Sequence, residues 1–190
     1  ETVDLSVIES NIVRCPDVSK VDEMVSYIEK ARAEGDSVGG IVEAVVKGCP
    51  AGLGDPVFDK LDALIAYALM SIGTIKGVEI GEGFQAARMR GSEHNDHFEL
   101  NDGNVQTKTN YAGGILGGIS SGEDIVVRVA VKPASSISKK QETVDVEGSG
   151  TEIQVKGRHD PCICPRAVPV VEAMLALVIC DTFLVQKSIK

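Results

Sequence analysis

The chain has 190 residues, 43% of them hydrophobic, which is enough to bury a core of ordinary domain size. It carries 19 Lys and Arg against 28 Asp and Glu, a net charge of −9, and its aromatics are 3 Tyr and 4 Phe with no Trp. That balance excludes a broad basic footprint for nucleic acid or an anionic membrane, a base-stacking platform, a disordered chain and a collagen-like repeat.

The 5 cysteines, Cys15, Cys49, Cys162, Cys164 and Cys180, are odd in number and mostly far apart. They do not make a disulfide framework, and they point to a reducing compartment. No stretch reaches the ~18 apolar residues a membrane span needs. The longest candidate, 167–180, is short and carries Pro169 and Glu172. The opening Glu1-Thr2-Val3-Asp4 lacks an initiator Met and a signal-peptide pattern, so the chain is expected to start inside a larger protein.

In chain order, Asp17-Val18-Ser19 supplies capping side chains, and Val21, Met24, Val25, Ile28 and Ala31 recur at helical spacing up to Gly35. The pattern predicts an amphipathic helix over 20–34. Residues 41–46 are β-branched and apolar between glycine-rich breaks and predict a strand. After a Gly/Pro loop, Phe58, Leu61, Ile65, Ala68, Leu69 and Ile72 mark a second helix with one apolar stripe. A short strand is predicted at 78–80, then a polar, irregular stretch over 81–110 with room for a helical turn or a hairpin. Residues 125–131 form the clearest strand. Segments 143–147 and 152–155 flank Gly148-Ser149-Gly150 as a hairpin. From Pro165 a last helix is apolar nearly all round, which predicts burial on several sides. This order of elements predicts an α+β fold with antiparallel sheet packed on buried helices.

Several clusters carry chemistry. Gly81-Glu82-Gly83-Phe84-Gln85-Ala86 matches G-x-G-x-x-A, the turn that brings a dinucleotide pyrophosphate to a helix N-terminus, but no βαβ crossover follows it. Gly113-Gly114 and Gly117-Gly118 permit close approach of another backbone or of a flat ligand. Lys132-Pro133-Ala134-Ser135-Ser136 places a cation, hydroxyls and amides on a stiffened turn suited to a phosphate, or else is a polar strand end with a snorkelling lysine. Gly157-Arg158-His159-Asp160-Pro161-Cys162 is the densest cluster. Arg158 suits a phosphate or carboxylate, and His159 or Asp160 could move a proton. His159, Cys162 and Cys164 miss structural-zinc spacing, so no metal is expected. His94 and His97 read as a hydrated loop, and Glu172 either as an acid paired with a cation such as Arg166 or as a buried acid without an explained partner.

Together these clusters resemble one family, chorismate synthase. The matching stretches are Arg14-Cys15-Pro16-Asp17, residues 35–40, Gly52-Leu53-Gly54, Phe58-Asp59-Lys60-Leu61-Asp62 and residues 76–81. They continue through Gly91-Ser92-Glu93-His94-Asn95-Asp96, residues 113–118, Lys132-Pro133, residues 157–162 and Pro165-Arg166-Ala167-Val168-Pro169. The resemblance runs through nearly the whole chain and implies that 1–190 is a single domain or part-domain like the C-terminal half of that family, with its β-α-β sandwich. It implies a lyase of the shikimate pathway that converts 5-enolpyruvylshikimate 3-phosphate to chorismate and phosphate by anti-1,4 elimination, using reduced FMN.

By the same resemblance, Lys132, Pro133, Ala134, Ser135 and Ser136 match a flavin-binding turn, and Gly117 a glycine against the flavin. Arg158 matches an arginine touching flavin and substrate, and Asp160 a substrate-contacting carboxylate that accepts a proton. Gly73-Thr74 stands where relatives have Asn-Ala beside the flavin. The family's catalytic histidines have no counterpart in this stretch. The anionic ligands are compatible with a −9 chain, because distant acids are screened over ~8 Å while Lys132 and Arg158 act at contact. The resemblance further implies a homotetramer in the cytoplasm or a plastid. Two other readings stand beside it: a non-catalytic folded remnant that associates with other chains, and a nicotinamide-dependent oxidoreductase resting on residues 81–86.

Overall fold

The computed structural model describes residues 3–101 and 103–189. The chain forms two compact units, one from Glu1–Gly40 with Val131–Val168 and one from Ile41–Ala130 with Pro169–Lys190.

In the first unit, the Asp17 carboxylate accepts the Ser19 N–H at 3.0 Å and opens a 3₁₀ turn, Val18–Lys20, that leads into helix α1, Val21–Ala33. Gly35 closes it with φ +68°, as its sequence position predicts. This unit also holds a hairpin, β8 (Gln141–Val144) and β9 (Gly150–Ile153). The hairpin was expected at 143–147 and 152–155 and lies about two residues earlier. Asp145 sets that register: its carboxylate accepts the N–H groups of Glu147 and Ser149, both at 2.9 Å, so residues 145–149 become the turn.

The second unit is built on a three-stranded sheet ordered β1 (Gly40–Val46), β7 (Ile125–Val131), β2 (Ile75–Ile80). Strand β7 alternates strictly: Ile125, Val127 and Val129 are buried, while Val126 and Arg128 are partly exposed. Helix α2, Leu61–Met70, packs on β2 and buries Leu61, Ile65 and Leu69, one stripe at four-residue spacing. Each such side chain contributes about 1.5–3 kcal/mol when taken from water.

The irregular stretch contains a 3₁₀ segment, Gly83–Arg88, a single turn α3, Gly91–His94, and a hairpin, β3 (Phe98–Asn101) with β4 (Asn104–Thr107). The Asp96 carboxylate fastens this region by accepting from the Thr109 hydroxyl at 2.7 Å and the N–H groups of Tyr111 and Ala112 at 2.8 and 2.9 Å. Strands β5 (Ile115–Leu116) and β6 (Ile119–Ser120) make a two-residue hairpin whose turn is Gly117-Gly118. Both turn residues have positive φ, +61° and +88°, the requirement that makes glycine fit there.

The last helix, α4, runs from Cys164 to Ser188, 25 residues. Two expectations for it need correction. It buries the stripe Ala167, Val171 and Leu175 and, further on, Thr182, while Val170, Leu177, Leu184 and Val185 are exposed. It also extends beyond the apolar run read from sequence, and an 18-residue window reaches mean hydropathy 2.1, so length and composition alone would suffice to cross a membrane. Glu172 is exposed rather than paired with Arg166, which instead meets Asp160.

Candidate active site

Three segments of the first unit are stitched together around a cavity. Between the first two, the Ser37 hydroxyl donates to the Ala134 carbonyl at 2.6 Å, and the Ser138 N–H donates to the Gly35 carbonyl at 3.0 Å. The Lys139 ammonium meets the Asp36 carboxylate at 2.7 Å. The Val38 N–H donates to the Pro161 carbonyl at 2.8 Å and ties in the third segment. Close approach at Gly35 helps fix the geometry, since a Cβ there would sit 3.4 Å from Ser138 Cβ in a left-handed backbone.

The cavity so formed is about 300 Å³, at the small end of the range for ligand sites. Its lining brings together the guanidinium-bearing Arg32 and Arg158, the hydroxyl-bearing Ser37, Ser136 and Ser138, and His159 and Asp160. Arg158 is exposed, and among the described residues no carboxylate pairs with it. Asp160 is half-buried and is ion-paired and hydrogen-bonded to Arg166 at the start of α4. The Asp36 carboxyl is held below the ordinary carboxylate range, first by the Lys139 hydrogen bond and then by the Ser37 N–H. The His159 ring lies 3.3 Å from the Val155 carbonyl. The Arg158 guanidinium and the Ser136 and Ser138 hydroxyls make a donor set for an oxyanion, with Arg32 beside them already paired to Glu29 at 2.9 Å and the Ser37 hydroxyl already given to Ala134; Asp160 is a carboxylate on the same lining.

The structure therefore groups Ser136, Arg158 and Asp160 on one cavity wall system. Lys132, Pro133, Ala134 and Ser135 lie just upstream in the loop after β7 and do not line it; Lys132 is half-buried, and Ala134 serves through its carbonyl. Arg32 and Ser138 escaped the sequence reading. Arg32 looks like any basic residue in the last turn of a helix, and Ser138 like any polar loop residue. Asp36 and Ser37 fell within a resembling stretch without a role.

In the second unit, the glycine cluster divides by packing. A Cβ at Gly113 would lie 2.3 Å from the Gly81 nitrogen, one at Gly114 2.6 Å from the Asp124 carbonyl oxygen, and one at Gly118 2.6 Å from Lys60 side-chain carbons. Gly117 is different: it is exposed, and a Cβ there would meet nothing within 4 Å. Residues 81–86 offer no dinucleotide turn. The Glu79 carboxylate accepts the Phe84 N–H at 2.9 Å, so an acid already occupies the N-terminus of the 3₁₀ segment. His94 stacks loosely near Tyr111 with ring centroids 6.2 Å apart, and among the described residues no group of His, Cys, Asp or Glu is arranged to hold a metal ion.

Fold and cavity define an α+β protein with a hydroxyl-lined site that carries two arginines, Arg32 and Arg158, and two carboxylates, Asp36 and Asp160. The family model described as chorismate synthase matches residues 2–184, and the chain belongs to that family. A chorismate synthase of Archaeoglobus fulgidus is 62% identical over 94% of this chain and 50% of its own length. One of Gloeothece citriformis is 55% identical over 97% of this chain and 51% of its own. A solved structure described as the crystal structure of chorismate synthase superposes with TM-score 0.79 at 35% identity, covering 95% of this chain and 47% of that one. The chain spans about half the length of the curated relatives it matches.

Proposed function

We propose that this chain is the flavin- and substrate-binding C-terminal half of a chorismate synthase, acting on 5-enolpyruvylshikimate 3-phosphate with reduced FMN. The observation that carries the reading is the cavity wall on which Arg158, Ser136 and Asp160 meet. Its donor chemistry fits a phosphorylated ligand, and Lys132 stands half-buried at the head of the same loop. Bound reduced flavin supplies electron density to carbon made electron-poor as phosphate leaves.

The chain's own groups bind and orient. Arg158, carrying no competing carboxylate among the described residues, takes an anionic oxygen of flavin or substrate. Ser136 and its neighbours in 132–136 bind flavin with hydroxyl and amide donors and the Lys132 charge. Arg166 fixes the Asp160 carboxylate, which would serve as proton acceptor toward a ligand bound in the cavity. Gly117, in the second unit, is a candidate flavin contact by the family resemblance alone, its hairpin tip being open. The family, the bacterial and archaeal relatives and the free cysteines support a cytoplasmic enzyme, and the apolar exposed side of α4 suits a homo-oligomer, a tetramer by family resemblance.

Fluorescence titration with FMN tests the reading. Added protein quenches the flavin signal, and Arg158→Ala weakens binding by about 10–100-fold, the loss of one charge-assisted pair. Undiminished binding in that variant would overturn it. In an anaerobic turnover assay with reduced FMN, these 190 residues alone give little or no chorismate; full turnover would show that the chain needs nothing further.

A further inference from the structure

The proposed chemistry leaves unused a pair of thiols beside the cavity. Cys162 follows Pro161, a lining residue, and Cys164 begins α4. Both are free and half-buried, neither sealed in the core like Cys49 nor fully exposed like Cys180. Their backbone is fixed: residue 162 is bridged to Val38, and the Val38 N–H bonds the Pro161 carbonyl at 2.8 Å. Cys164 is seated against glycine, since a Cβ at Gly40 would lie 2.9 Å from its sulfur. Two residues apart, the Cα atoms are separated by at most ~7 Å, against 4.4–6.8 Å in disulfides. The spacing along the chain is therefore compatible with an internal disulfide.

The pair is also electronically unequal. The neighbouring Cys164 thiol, with help from the Cys164 backbone N–H at the helix start, holds the Cys162 thiol below the ordinary range against the opposing effect of burial. The proximity of Cys162 and then burial push Cys164 up. One sulfur is thus disposed to attack and the other to remain a thiol until its neighbour is modified.

We propose that Cys162 and Cys164 form a thiol–disulfide exchange site for low-molecular-weight disulfides, with Cys162 as the attacking and Cys164 as the resolving sulfur. Cys162 thiolate displaces one thiolate from the external disulfide and forms a mixed disulfide. Cys164 then loses its proton, attacks the Cys162 sulfur and releases the second thiol. The protein dithiol is oxidised by two electrons, and the external disulfide is reduced to two thiols. The assignment does not depend on the flavin reading.

The test uses glutathione disulfide. The intact protein is exposed to it near pH 7, quenched with iodoacetamide and digested with trypsin. Cleavage after Arg158 and Arg166 isolates both cysteines in one peptide. The peptide is expected unalkylated and lighter by two hydrogens, with internal disulfide exceeding mixed disulfide by about tenfold because the resolving thiol is tethered at high effective concentration. Cys164→Ser should retain glutathione on Cys162. Cys162→Ser should lower incorporation at Cys164 by about tenfold, with circular dichroism confirming that both variants fold. A peptide alkylated on both cysteines, glutathione retained on either without an internal bond, or undiminished incorporation in Cys162→Ser would overturn the proposal.

Discussion

Gly117 and Gly81 show why a glycine's role is settled by what surrounds it. Both adopt positive φ, +61° and +58°, so a side chain strains either. At Gly81 a Cβ would also lie 2.1 Å from the Tyr111 carbonyl oxygen, whereas at Gly117 it meets open space. Gly81→Ala should therefore cost more than about 3 kcal/mol, strain plus overpacking, while Gly117→Ala costs about 1–2 kcal/mol, strain alone. Urea denaturation of the two variants checks the ordering; equal losses would mean that the contacts around Gly81 relax freely. Residue types alone could not separate these two glycines, since both sit in Gly-rich runs bounded by apolar residues. Arg166 carries the same lesson. Sequence proximity on one helix pairs it with Glu172, but the turn at Pro161 brings Asp160 back to it instead.

Among the elements, periodicity found what packing enforces. The stripe of α2 and the alternation of β7 were legible because each buries a regular set of side chains. Turns governed by a single carboxylate were not: Asp145 shifts the last hairpin, and Asp96 holds together a stretch whose polarity resembled a loop. Burial opposes ionisation of Asp96, but the Thr109 hydroxyl and the Ala112 and Tyr111 amides outweigh it and hold its carboxyl below the ordinary range.

A carboxyl lowered in the folded state contributes stability that is fully present above its unfolded value, about 4, and is lost as pH falls through the folded value. Asp96→Ala should lower stability by about 2–3 kcal/mol at neutral pH and flatten the acid side of the stability profile below pH ~4. Thermal unfolding across pH 2–7 measures this. A variant as steeply acid-sensitive as the parent would show that other carboxylates set that slope.

For the whole molecule, the sequence conveyed family and class through motifs scattered along the chain, and the match over residues 2–184 accords with that. It conveyed less about surfaces. An all-apolar helix normally implies enclosure, yet α4 leaves Leu177 65% and Leu184 59% exposed. The pattern reports that a helix face is apolar, not which chain covers it. The cavity was legible only in part for a related reason. Arg158 and Asp160 stand in a dense motif, whereas Arg32 and Ser138 reach the site through the hydrogen bonds of Ser37, Ser138 and Lys139, which link positions about a hundred residues apart.

Amide hydrogen exchange with and without FMN addresses the flavin site most directly. The account predicts slower exchange on FMN addition at 134–138 and 157–160, and unchanged exchange at 83–88, where Glu79 already holds the helix start. Protection confined to 83–88, or none at 134–138 and 157–160 under saturating flavin, would contradict it.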